Sequence, residues 1–110
     1  MAAYSEITIE QYADFSTTVT VNDIQGDSLN LTNYLAAAQL RKSYYSTTAT
    51  DFTVSISDAV GGELTISMNS SNTSNLMPGR YVYDLVITSP ENNKTRVVEG
   101  IATVIPGVTR

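Results

Sequence analysis

The strongest constraint on this chain is a side-chain alternation of period two that recurs along most of its length. Such alternation sends successive side chains to opposite faces of a strand, and it does not match the 3.6-residue period of an amphipathic helix. Ile7 and Ile9 share a face, with Thr8 and Glu10 opposite. Phe15, Val19 and Val21 share the next, against Thr18 and Thr20. Leu29 and Leu31 follow in a short extended piece. Phe52, Val54 and Ile56 then alternate with Thr53, Ser55 and Ser57, and Leu64, Ile66 and Met68 with Thr65 and Ser67. In Tyr81, Tyr83, Leu85 and Ile87 the pattern is clearest. Val82 and Val86 on its other face predict a central, mostly buried strand.

Turn chemistry falls between these runs. Gly26, within Asp23 to Asp27, is available for positive φ. Asp58 to Gly62 ends in Gly-Gly between two alternating runs, a hairpin signal. Pro90 to Asn93 is a further turn, and Asn69 to Met77 reads as a short helical turn closed by Pro78 and Gly79. Tyr34 to Lys42 fits both periods. Its alanines favour a helix, but Tyr34, Ala36, Ala38 and Leu40 also alternate and no helix C-cap follows, so it is read as a strand. Thr95 to Ile105 is a long last strand in which Gly100 marks a bulge or a close approach. About seven short strands at this spacing predict an all-β, immunoglobulin-like antiparallel β-sandwich. One domain is expected over residues 1–110, with 1–14 as a docking arm or an edge strand.

Few routes to chemistry are open to such a chain. It contains no histidine and no cysteine. The commonest general base and metal ligand are therefore missing, together with thiol catalysis and disulfides. No activating base lies ready for the many serines and threonines. Enzymatic activity, a bound cofactor and a metal are accordingly not expected. Asp23, Asp27 and Asp58 could offer oxygens to calcium, but aspartate is also an ordinary turn residue, and that reading is preferred. Asn30, Asn69, Asn72 and Asn93 head Asn-x-Ser/Thr triplets, a pattern that a chain rich in these residues produces by chance.

The surface chemistry is equally selective. Charged residues make up 15% of the chain, below the roughly 25% usual for soluble domains. Ser, Thr and Asn replace them, so fewer charges must be stripped of water when a neighbour covers the surface. The net charge of −5, with scattered basic residues, argues against nucleic-acid binding. No apolar run is long enough to span a membrane, and the beginning, Met1 to Glu6, lacks signal-peptide regions. Without cysteines, the chain is expected to assemble in a reducing cytoplasm. Tyr44 and Tyr45 beside Arg41 form the candidate partner-binding patch, because tyrosine and arginine dominate binding hot spots. Alternatively, one of these tyrosines packs over the core. Asp84, inside an apolar strand, needs a partner if buried; Arg80, Arg96 and Arg41 are the candidates.

Three stretches carry a resemblance. They are Leu29 to Tyr34 with Ala38 to Lys42, Leu76 to Leu85 with its Pro78-Gly79-Arg80-Tyr81 entry, and Arg96 to Arg110. Together they resemble the immunoglobulin-like domain at the start of tailed-bacteriophage baseplate upper proteins, and small virion structural proteins of marine cyanobacterial phages. The resemblance implies a non-enzymatic virion component, present in many copies, that decorates or cements the head or belongs to the tail and baseplate. Its implied partners are capsid, tail or baseplate subunits, or further copies of itself. No trimerising or receptor-binding region of the kind that full baseplate upper proteins carry is expected after Arg110, which argues against a direct host-binding role. The rival expectation is an adhesive carbohydrate-binding module using Tyr44, Tyr45 and Tyr12. The arm before Phe15 and the tail after Ile105 are the expected docking pieces, and removing 1–14 is expected to leave a folded sandwich that no longer docks.

Overall fold

The computed structural model describes residues 3–22, 26, 29–43 and 45–108. Nine strands run in the order β1 (Ala3–Tyr4), β2 (Ile7–Glu10), β3 (Phe15–Thr20), β4 (Leu35–Arg41), β5 (Thr50–Asp51), β6 (Thr53–Asp58), β7 (Glu63–Met68), β8 (Gly79–Thr88) and β9 (Lys94–Ile105). A single helical turn, α1 (Ser70–Thr73), lies between β7 and β8. Seven strands have four residues or more; β1 and β5 are two-residue pieces at sheet margins. The ambiguous Tyr34–Lys42 segment is strand β4, with Ala38 and Leu40 buried and Leu35 exposed. Leu29 and Leu31 lie outside the strands; their amides bond to Val21 and Ala59 carbonyls.

The strands form an immunoglobulin-like sandwich of two sheets. The larger has the order β1-β9-β8-β4-β5, with β2 also on β9; the smaller is β3-β7-β6. The pairs among β3 to β9 are antiparallel, whereas β1 and β2 run parallel to β9. This parallel edge departs from the all-antiparallel expectation. Its cause is topological: the first strand reaches the larger sheet beside the last one, so no hairpin sets their direction. The two sheets close over Ile9, Leu31, Leu40, Leu64, Ile66, Met68 and Leu85, each at most 1% exposed. Phe52 joins Phe15 and Tyr83 in tilted and edge-on ring contacts across this core.

Residues 3–10 form an edge strand, and Ile9 is wholly buried. The expectation that 1–14 can be removed from a folded sandwich is therefore revised. Gly100 is a point of close approach. A Cβ there would sit 1.9 Å from the Ser5 carbonyl oxygen. The bulge lies elsewhere, where the register slips between Leu85↔Val98 and Val86↔Arg96 and leaves Val97 extra. Gly62 closes the β6–β7 hairpin at φ +70, against the backbone of Val21 and Leu29. Gly26 also takes positive φ.

Candidate functional site

At the end of β4, Arg41 is engaged with the loop that follows it. Arg41 donates to the Ser46 carbonyl and, at 3.0 Å, to Gln39 Oε1. Gln39 in turn donates to Asp51 Oδ1 at 2.9 Å. The guanidinium thus ties the β4–β5 loop shut, and Ser43 and Ser46 bond to each other inside it. Tyr45 stands on this loop, 95% exposed. Tyr44 lies outside the described residues. The neighbouring Lys42 holds its ammonium 4.8 Å from the centre of the Tyr81 ring, a cation–π contact that sequence order alone does not signal. Tyr12, the third candidate aromatic, is half-buried at φ +70 beside Gly107.

Asp84 finds its partner in Arg96, at 3.1 Å. The pair lies on the outer face of the larger sheet, in a shallow hollow of about 330 Å³ shared with Gln39, Arg41, Val82 and Val86. Both side chains are substantially solvated, so this is a surface ion pair of modest value. Asp58 caps its own hairpin by accepting from the Gly61 amide. Asp23 and Asp27 lie outside the described residues. Among the described residues, no group of three or more His, Cys, Asp or Glu is placed to hold a metal. Asn69 caps α1 and Asn30 accepts from Thr32, so two of the triplet asparagines serve local turns.

A further concavity lies where no sequence motif pointed. It is a groove of about 860 Å³ between the sheets, along the side of β3 that pairs with no described strand. Its mouth is formed by β3 on one side and by β1, Ile7 and the Val97–Val98 stretch of β9 on the other. Ile66, Tyr83 and Ile87 reach it from the interior. The exposures follow the opening: Leu64, Ile66 and Met68 on β7 are buried, but Phe15, Thr17 and Val19 on β3 are only half so. Deep in this region the Tyr83 hydroxyl donates to the Ser5 carbonyl at 2.7 Å. Burial pushes Tyr83 above its ordinary pKa, and Tyr4 adds to the rise. One signal for the groove was present in the sequence, the uncharged run Phe15–Thr20. Alternation alone does not say which sheet is the narrower.

No family model and no curated protein sequence matches the chain. Among solved structures it is similar to an internalin-like protein of Listeria monocytogenes, at 17% identity and a TM-score of 0.49, over 94% of this chain and 28% of that one. It is also similar to a family 123 glycoside hydrolase from Clostridium perfringens, at 13% identity and a TM-score of 0.44, over 97% of this chain and 24% of that one. The chain spans about a quarter of each protein's length. Neither protein's role is carried across.

Proposed function

We propose that the chain is a non-enzymatic assembly module, a multi-copy structural component that decorates or cements a tailed-phage particle. The virion setting comes from the resemblance of its Leu76 to Leu85 and Arg96 to Arg110 stretches. The observation that carries the assembly reading is the outer face of the smaller sheet. Ser16 and Thr18 on β3 line up with Ser67 and Thr65 on β7, these with Thr53 and Ser55 on β6, and Thr20 lies opposite Glu63. Glu63, with Asp58 at the sheet's end, supplies the only charge on these strands. A flat hydroxyl face can be covered by a neighbour without stripping ions of water, the costly part of burying a charged surface. Many copies on one particle make weak single contacts sufficient.

Mass spectrometry of purified particles, with immunogold labelling of head or tail, tests the reading. The protein is expected among the virion proteins in many copies; its absence overturns the proposal. A second reading, adhesion to carbohydrate, is favoured by the nearly complete exposure of Tyr45. Glycan-array binding that disappears in a Tyr44→Ala, Tyr45→Ala double variant would favour it over the assembly reading.

A further inference from the structure

The two sheets differ in width. β6 packs near β4 at one side of the sandwich. Counted across from there, three strands reach as far as β9, and the β1/β2 strand has no counterpart in the facing sheet. The groove beside β3 is this missing position. Strands stand about 4.8 Å apart within a sheet, so one added strand is what would extend the smaller sheet to this position.

The backbone of β3 is prepared for an addition. Val21 donates its amide to Gly62 at 2.7 Å. By the alternation of an antiparallel ladder, the odd-numbered residues of β3 aim their backbone groups at β7. Ser16, Thr18 and Thr20 aim theirs at the open side. The other sheet margins carry devices that discourage pairing. The β1/β2 edge bears Glu6 and Glu10, β5 is two residues long and ends in Asp51, and β6 closes in an irregularity at Asp58. β3 has six residues in unbroken register, with no charge, no proline and no bulge.

We infer that the β3 edge and its groove receive a single extended segment of another polypeptide, which adds as a fourth strand to the smaller sheet. Alternate residues of that segment are apolar and enter the groove over Ile7, Val98 and Ile87; the others are uncharged and polar, continuing the hydroxyl face. A second copy joined β3 to β3 does not fit as well. A two-fold axis there brings the overhanging β1/β2 strands of both copies into the same space. The inference deepens the assembly reading and rests on it, because it names the surface by which the module takes hold of a neighbour.

The test uses the full chain and a short labelled peptide alternating valine and threonine, with a lysine at each end. A control peptide has the same composition with its valines contiguous. The alternating peptide is expected to bind at up to millimolar concentration, shifting the NMR signals of the Ser16, Thr18 and Thr20 amides and the Ile7 and Val98 methyls. The control is expected to bind at least about tenfold more weakly. Thr18→Pro removes an outward-facing amide, a change an edge strand tolerates, and is expected to weaken binding at least about tenfold with little change in thermal midpoint. Thr17→Lys places a cation in the groove mouth and is expected to do the same, which covers the case of a poorly folded proline variant. No binding, shifts elsewhere, or binding indifferent to both variants overturns the inference. So does a concentration-dependent dimer abolished by Thr18→Pro, which would assign the edge to a second copy. The assembly reading fails separately: a protein absent from particles that still binds the peptide at β3 loses only the virion role, and one that enters particles equally well as Thr18→Pro loses only the β3 docking site.

Discussion

Gly100 lies beside the Ser5 carbonyl to which Tyr83 donates, at the junction of β1 and β2 with β9. A methyl group at this point cannot be accommodated by turning a flexible side chain, since the obstacle is backbone. Gly100→Ala is therefore expected to cost about 2–4 kcal/mol in denaturant unfolding, with fast hydrogen exchange over residues 3–10 as the sign that the edge strand has lifted. Tyr83 makes the same junction sensitive to alkali. Its neutral form is favoured in the folded state, so its contribution is fully present below the ordinary tyrosine value of 10.0 and is lost as pH rises through the higher folded value. Wild-type stability is expected to fall more steeply above pH 10.0 than that of Tyr83→Phe, as followed by thermal melts across that range. At neutral pH the phenylalanine variant is expected to be about 1 kcal/mol less stable, through the lost hydrogen bond. By contrast Asp84→Asn, which breaks a solvated pair, is expected to cost less than about 1 kcal/mol.

Among the elements, the N-terminal strand changes role most between sequence and structure. The alternation of Ile7 and Ile9 makes it a strand, but only its place beside β9 makes it part of the core. Ile9→Ala is expected to lower stability by about 2–5 kcal/mol, because a wholly buried branched side chain leaves a cavity. Deleting 1–14 is expected to give a protein without a cooperative unfolding transition by circular dichroism. The strands themselves were legible because β proteins write burial into every second residue. Even the alanine-rich β4 yielded to this test, with Ala36 and Ala38 turned inward and Leu35 outward. The parallel direction of β2 was not legible, since it depends on a partner far along the chain with no hairpin between them. The loop-closing bonds of Arg41 were not legible for a related reason. Sequence adjacency put a cation beside two tyrosines, whereas the fold uses that cation to close a loop. The α1 turn was legible through the polar run that Pro78 and Gly79 close, but its anchoring was not. Asp14 accepts from the Ser70 amide and Thr73 donates to the Ala13 carbonyl, so the turn is fastened to the β2–β3 connection.

Taken whole, the molecule has two unlike faces. Arg41, Arg80, Lys94 and Arg96 belong to β4, β8 and β9 of the larger sheet, while β3, β6 and β7 carry no cation and present hydroxyls. Most of its contacts join residues distant in sequence, and β2 pairs with β9 across nearly the entire chain. Such a topology folds slowly for its size. Refolding by stopped-flow fluorescence is expected in the range of roughly milliseconds to seconds, and microsecond refolding would contradict the strand order described. The parallel pairing also sets a schedule during synthesis. Ile7 leaves the peptidyl-transferase centre long before Ala102, the residue it pairs with. At roughly 5–20 residues per second that interval is on the order of 5–20 s. Throughout it the nascent chain holds an apolar segment, Ile7 and Ile9, whose place in the sheet does not yet exist. β9 is translated well after the β2 strand that it shelters, so a ribosome that stalls before β9 releases a product with that segment still uncovered, a natural target for chaperones and quality-control proteases.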